Sequence, residues 1–470
     1  MYTITKILIK TIIILSIFVN SAFAIAPPKP DVYDVRNGNI KLKSRNQKKL
    51  LTPPKFSKSM PYTAPYTNPE IYPLIIMIEF QDVKADVSHN IAYFQKLVFS
   101  KTSTDRSMYN YYLENSGSKL KIEDKGQPSA WLVSAYNMSA YGMPTVGSVD
   151  NGPEYLALEA IQLLNGSSFD FSKFDANGDG NIDCLIIVHS GNAEEQSANT
   201  NDIWSHRYTV PRVGSDYYTT HDGYKAVDYL MVSEQTPLGI FCHEFGHILG
   251  LPDLYSTYTG QSVCGTWAVM DLGSWLDSGN TPCHMCAPMK AYMGWGNYQI
   301  ISTETKGPQI YPTSRIEDSA DTTEFYKLPI LGSSDEYFMV EYRHKESYDS
   351  MLPGSGVLIW HVDNLIINNN LATNTINVDP DHLGIELEEA DGTDCTLAPN
   401  YSEIGDMYRT GAVFSSPQNM SYQGISSNII ISDFSGAGTG IMSFDVYTYG
   451  ISPVQNVLDF FNYPNPIYSG

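Results

Sequence analysis

The chain has 470 residues, too many for one ordinary core, which predicts two or three domains. It carries 29 Lys and Arg against 51 Asp and Glu, a formal charge of −22. Residues 1–60 hold 11 of the basic residues and two acidic ones, so the remainder, with 18 against 49, stands at −31, which argues against nucleic acid or anionic membrane as a partner and suits a soluble, calcium-binding exoprotein.

Residues 1–24 read as a signal peptide. Lys6 and Lys10 precede an apolar run over 11–19, and Ala22-Phe23-Ala24 supplies a small-x-small cleavage site. The run is too short for a confident span and no later stretch is long and apolar enough to cross a bilayer, so no stable membrane insertion is expected and the mature protein is read as secreted. Residues 25–68 are rich in Pro, Lys, Ser and Tyr and predict a poorly structured basic propeptide or linker.

From residue 69 the pattern changes. Residues 72–80 and 184–188 read as buried strands, and 90–99, 107–115 and 154–164 as helices. Strands alternating with helices predict an α/β catalytic domain over 69–305, with 226–232 a candidate strand beside the substrate. Between them lies Asp175-x-Asn177-x-Asp179-Gly180-Asn181-x-Asp183. Oxygen ligands at positions 1, 3, 5 and 9, glycine at 6 and a backbone carbonyl at 7 fit the first part of an EF-hand-type calcium loop. Position 12 is Ile186 and a strand follows, so a further carboxylate is needed, with Glu194 and Glu195 as candidates. A polar turn without metal is the bland alternative.

Residues 243–253 read His243-Glu244-Phe245-Gly246-His247-Ile248-Leu249-Gly250-Leu251-Pro252-Asp253. On a helix, residues four apart share a face, so both histidines reach one metal ion while Glu244 faces a water beside it. Thr236 is the expected cap, Pro237 the first helical residue and Gly250 the residue past the end. Pro252 stops the helix and leaves Asp253 free to approach the metal from a loop. Asp253 is the preferred third ligand, with Asp271, Asp277 and His284 as alternatives, because no glutamate occurs between Glu244 and Glu304. Two buried core histidines are the competing reading, and the five residue types at these spacings weigh against it.

Residues 306–450 turn β-rich, with strands expected over 337–342, 356–362 and 442–447, and predict an accessory domain. Residues 451–470 form a tail that includes Asn462-Tyr-Pro-Asn-Pro466, a possible opening of a further C-terminal module. Acidic stretches around Asp379, Asp391 and Asp406 give a weak further cation signal. The six cysteines, Cys184, Cys242, Cys264, Cys283, Cys286 and Cys395, are read as structural thiols or disulfides, since Cys283-x-x-Cys286 has no second pair to complete a zinc site.

The segment 243–255 resembles the active-site segment of the immune inhibitor A-like secreted bacterial metallopeptidases. The resemblance extends to residues 169–183, 201–206, Trp267-Ala-Val-Met270, Gly273-Ser-Trp275 and 354–363, and covers roughly residues 70–445. It implies a metzincin-like catalytic domain with one zinc and Met270 as the methionine beneath the metal. The resulting expectation is a zinc-dependent endopeptidase acting on proteins or peptides, with Glu244 as general base and Tyr255, Tyr258 and Tyr292 as candidate oxyanion donors. An adhesion or binding protein on an inactive protease fold would have lost the base or a ligand, and here all are present. Oligomeric state is not readable from the sequence.

Overall fold

The computed structural model describes residues 24–30, 33–34, 41–42, 65–142, 152–314, 322–397, 401–438 and 440–449. The signal peptide, most of the 25–68 segment and the tail fall outside them. Among the described residues no helix is long and apolar enough to cross a membrane.

A six-stranded sheet takes, in chain order, β1 (Ala24–Ile25), β2 (Pro73–Glu79), β3 (Leu132–Val133), β4 (Cys184–His189), β5 (His206–Thr209) and β6 (Asp228–Ser233). In space the order is β1-β5-β6-β4-β2-β3. β2 and β4 are apolar at almost every position, as strands covered on both faces must be, and they pair in parallel with Ile75 opposite Ile186 and Met77 opposite Val188. β6 runs parallel to β4 and antiparallel to β5. It is therefore interior, with both hydrogen-bonding edges taken, and cannot be the strand beside a substrate. β5 and β1 lie outside it.

The helix α1 (Met108–Asn115) starts on Ser107, whose side chain accepts from Asn110 N, and α2 (Pro153–Asn165) starts with proline in its first turn. α3 (Leu238–Ile248) follows β6 and is buried along its whole length. α1 packs on α3 through Tyr112, whose hydroxyl donates to Cys242 O at 2.5 Å and whose ring meets Phe245 edge-on at 5.1 Å.

Downstream lie β7 (Tyr298–Ile300), β8 (Thr305–Ile310), β9 (Phe325–Pro329), β10 (Glu336–Arg343), β11 (Gly356–Asp363), β12 (Ile385–Leu387), β13 (Ile429–Ser432) and β14 (Met442–Thr448). They form a five-stranded sheet, β7-β9-β10-β11-β12, and a three-stranded sheet, β8-β14-β13. The period of two along a strand divides the five-stranded sheet cleanly. Phe338, Val340, Val357 and Ile359 face a core shared with the three-stranded sheet. Tyr337, Met339, Leu358 and Trp360 face the core that also holds β2, β4 and α3. One continuous core thus crosses residue 305.

Charges are buried at this junction. Arg343 donates through Nε to Asp349 Oδ2 at 2.7 Å, pairs with the other Asp349 oxygen through Nη2, and donates through Nη1 to Trp267 O at 2.9 Å. Asp349 also accepts from His284 N at 2.9 Å. Both side chains are fully inaccessible, so removing Asp349 leaves Arg343 in a dry interior with only the more distant Glu341 carboxylate, at 3.6 Å. Asp349→Ala should lose about 3–5 kcal/mol of stability. Denaturant unfolding measures this, and an unchanged midpoint would show that the pair does not hold the junction.

Candidate metal centre

α3 opens after Pro237, which stays extended at φ −76°, ψ 164°. Thr236, the expected cap, instead turns back on β6: its Oγ1 accepts from Ser233 N at 3.0 Å. The far end is a tight left-handed turn. Gly250, at φ +98°, donates to His247 O at 3.1 Å, and Leu251 N donates to Gly246 O at 3.0 Å. Only glycine takes that φ without strain.

This turn orients the first histidine–carbonyl pair. Leu251 O lies 2.8 Å from His247 Nδ1, and Val269 O lies 2.9 Å from His243 Nδ1. A carbonyl oxygen only accepts, so each Nδ1 carries the proton and each Nε2 of the neutral ring presents a lone pair. Burial holds His247 below its ordinary pKa, in keeping with a neutral ring. The two Nε2 atoms are 3.2 Å apart, and Asp253 Oδ1 is 3.1 Å from that of His243 and 3.2 Å from that of His247. All three side chains are wholly buried. Three acceptors converge with no proton to share, which is unfavourable unless a cation lies among them. Two imidazoles and a carboxylate are a donor set that fits zinc.

Glu244 is buried next to this group. Burial first, and then the neighbouring Asp253 carboxylate, pushes it well above the ordinary glutamate range. Neither of its oxygens has a hydrogen-bond partner. Met270 lies under the helix: a Cβ built on Gly246 would stand 2.8 Å from its sulfur, so Gly246 permits this approach of helix and methionine. Tyr255 packs nearly parallel to His243, at 22° with centroids 6.4 Å apart, and its hydroxyl lies in the field of the Asp253 carboxylate. Tyr258 is exposed, and Tyr292 is buried at the end of the helix Ala287–Tyr292.

The alternative third ligands are engaged elsewhere. Asp271 accepts from Ser262 Oγ and from the backbone of Val263, Cys264 and Leu272. Asp277 is exposed. His284 is tied to Glu114 at 2.6 Å and to Lys290 at 3.1 Å.

One contributor has no signature in the sequence. Asn374 donates from Nδ2 to Asp253 Oδ2 at 2.6 Å, and its Oδ1 accepts from Asp253 N at 2.8 Å. It lies 121 positions downstream, in a left-handed conformation at φ +54° that asparagine tolerates. Nearby, Asn377 Nδ2 donates to Leu254 O at 2.8 Å. Both asparagines come from the segment entering β12.

The Asp175 loop sits between the turn Phe171–Phe174 and β4. Its oxygens are engaged with its own backbone. Asp175 accepts from Gly178 N, Asp179 N and Gly180 N, and Asp179 accepts from Asn181 N and Asn177 Nδ2. Asp183 turns inward to Tyr72 N and Ala176 N, and burial raises its carboxyl to about 7, with Asp175 and Asp179 adding to the rise. Glu195 is not directed at this loop. It is fully buried, accepts from Ser205 N at 3.0 Å and lies in the field of Glu244. Of the acidic stretches, Asp391 and Asp406 meet, together with Glu403, and Asp379 is not in that group. All six cysteines are buried free thiols.

Residues 74–297 match the model of the immune inhibitor A peptidase M6 catalytic domain. The chain is 31% identical over 286 residues to immune inhibitor A of Bacillus thuringiensis subsp. alesti, covering 49% of this chain and 41% of that protein. It is 32% identical over 231 residues to the pre-pro-metalloprotease PrtV of Vibrio cholerae serotype O1, covering 42% of this chain and 25% of that one. The chain thus spans less than half the length of either relative.

Asn374 is placed to orient a ligand rather than to be one. Asn374→Ala should leave the chain folded and weaken its hold on zinc by about 10–100-fold, the usual effect of losing a ligand's own partner. Competition with a chelator of known affinity reads this directly, and wild-type retention of zinc would remove Asn374 from the site.

Proposed function

We propose, from the premise that residues 74–297 carry a metallopeptidase domain of the immune inhibitor A family, that this chain is a secreted zinc-dependent endopeptidase. The observation that carries the reading is the convergence of His243 Nε2, His247 Nε2 and Asp253 Oδ1 beside an unpartnered Glu244. The domain reading is a metzincin-like catalytic unit at 69–305 and a β-rich unit at 306–450 that shares its core. Export rests on the signal-peptide pattern at 1–24, and the substrates are proteins or peptides.

In this reading His243, His247 and Asp253 hold the ion, and Val269 O, Leu251 O and Asn374 keep them aimed at it. Zinc bound there would supply the Lewis acidity that makes water a ready nucleophile and polarises a peptide carbonyl. Glu244 then takes the proton from the attacking water and returns it to the leaving amine. Met270 is the packed floor that fixes the height of the helix. Tyr255 is the candidate for stabilising developing oxyanion charge.

The Asp175 loop is assigned to structural calcium, with Asp175, Asn177, Asp179, Asn181 and Asp183 contributing, the order of oxygen-bearing residues being the support.

Glu244→Ala should keep zinc and lose at least about 10²-fold in peptide hydrolysis, because only the proton shuttle is removed. Asp253→Ala should lose zinc as well as activity. Elemental analysis and casein hydrolysis on the same preparations separate the two. Near-normal hydrolysis by Glu244→Ala, or stoichiometric zinc in Asp253→Ala, would overturn the respective role.

Calcium bound only by the folded chain should stabilise it by about 2.7 kcal/mol at a hundredfold excess over Kd. Asp179→Ala should abolish that gain without removing zinc. A melting curve of calcium-stripped protein unmoved by added calcium would leave the loop as a turn.

A further inference from the structure

A second cluster of ligand-type side chains lies on the five-stranded sheet. His361 of β11 stands directly opposite Glu386 of β12 in the register. The period of two places Glu388 on the same face as Glu386, and Glu336 of β10 on the face of His361. The side chains meet accordingly. His361 Nδ1 is 3.2 Å from Glu388 Oε1 and 3.7 Å from Glu386 Oε1, and His361 Nε2 is 3.2 Å from Glu336 Oε2. His361 and Glu336 are each 2% exposed, while Glu386 and Glu388 are 28% and 15% exposed and give solvent a path to the group.

We propose that His361 Nδ1, Glu386 and Glu388 form a second divalent transition-metal site, with Glu336 as the carboxylate that orients His361. Three features support it. First, the geometry is that of a metal-bound histidine, whose remote N–H is fixed by a carboxylate while the near nitrogen faces the ion. Glu336 is itself held, accepting from Tyr422 N at 2.9 Å.

Second, the cluster concentrates negative charge. Even with His361 protonated, three carboxylates around one imidazolium leave a net charge of −2 in a mostly buried space. A divalent ion replacing the Nδ1 proton brings that to −1 and gives Glu386 and Glu388 a shared partner. Third, Tyr422 closes the site. Its ring stacks on His361 at 13° with centroids 4.3 Å apart, and its buried hydroxyl, directed toward Glu386, makes no hydrogen bond of ordinary geometry.

One imidazole and two carboxylates suit zinc or a neighbouring first-row ion, with water completing the shell through the exposed side. The site would pin β12 to β11, downstream of Asn374 and Asn377. It does not depend on the hydrolytic role of Glu244.

The test is zinc stoichiometry of the full-length chain, stripped by chelator, reloaded with zinc alone, freed of loose metal by gel filtration and analysed for metal. Wild type should retain two equivalents. The double variant Glu386→Gln/Glu388→Gln, which preserves shape, should retain one, with an unchanged circular dichroism spectrum. Should the double variant fold poorly, Glu388→Gln alone should weaken the second equivalent at least tenfold in a chelator competition. A single equivalent in wild type would make the cluster an imidazolium ion pair only. Two equivalents in the double variant, or an unchanged second affinity in Glu388→Gln, would overturn the ligand assignment.

Discussion

Two hydrogen bonds from imidazole to backbone carbonyl constrain everything at the centre of this protein. With His243 Nδ1 committed to Val269 O and His247 Nδ1 to Leu251 O, the Nε2 atom of each neutral ring is an acceptor. The carbonyls come from two different loops. Leu251 belongs to the turn that ends α3, which requires Gly250 at positive φ. Val269 immediately precedes Met270, and Met270 O in turn accepts from Leu254 N at 2.8 Å. Helix end, ligand loop and methionine loop therefore lock one another, and the site is held by backbone geometry rather than by side-chain packing alone.

The β-rich half is part of that support. β10 and β11 bury both faces, one against α3's core and the other against the three-stranded sheet. From this sheet Arg343 reaches Trp267 O at the start of the methionine loop, and Asp406 Oδ2 accepts from Trp267 Nε1 at 2.7 Å. Asn374 and Asn377 reach the ligand loop from the entry to β12. A chain cut at residue 305 would expose apolar β-facing surface and leave Asp253 without the partner that fixes its second oxygen.

Much of this was legible in the residues. The buried strands at 73–79 and 184–189 and the helices beginning near 91, 108 and 153 follow from apolar runs and periodicity. The meeting of His243, His247 and Asp253 followed from an i, i+4 spacing with a helix stop and a carboxylate just beyond, all within eleven positions. What escaped was long-range. Asn374 lies in an Asn- and Thr-rich stretch where nothing distinguishes it from its neighbours, and its role arises only because the sheet brings it to Asp253. The reading of 226–232 as a substrate-side strand failed for the same reason, since position within a sheet is a property of topology, which a strand's own residues do not encode. Thr236 had the right chemistry for a cap, but its hydroxyl is engaged with Ser233 instead.

The candidate ion sites differ in how well their oxygens and nitrogens are satisfied without an ion, and that difference ranks their demand for one. Around Asp253, lone pairs face lone pairs in a dry interior, and leaving a buried acceptor unmet costs about 1–3 kcal/mol each. A sequence selected for stability alone would not assemble such a group, which is why local violation marks function. Around His361 the conflict is milder, because a protonated ring can meet three carboxylates part way. In the Asp175 loop nearly every side-chain oxygen already accepts a backbone N–H. Calcium there would have to displace bonds that the loop makes for itself, so its affinity should be the weaker one, and the loop can keep its turn when the ion leaves. A zinc ion held as proposed at the helix would have no such competitor.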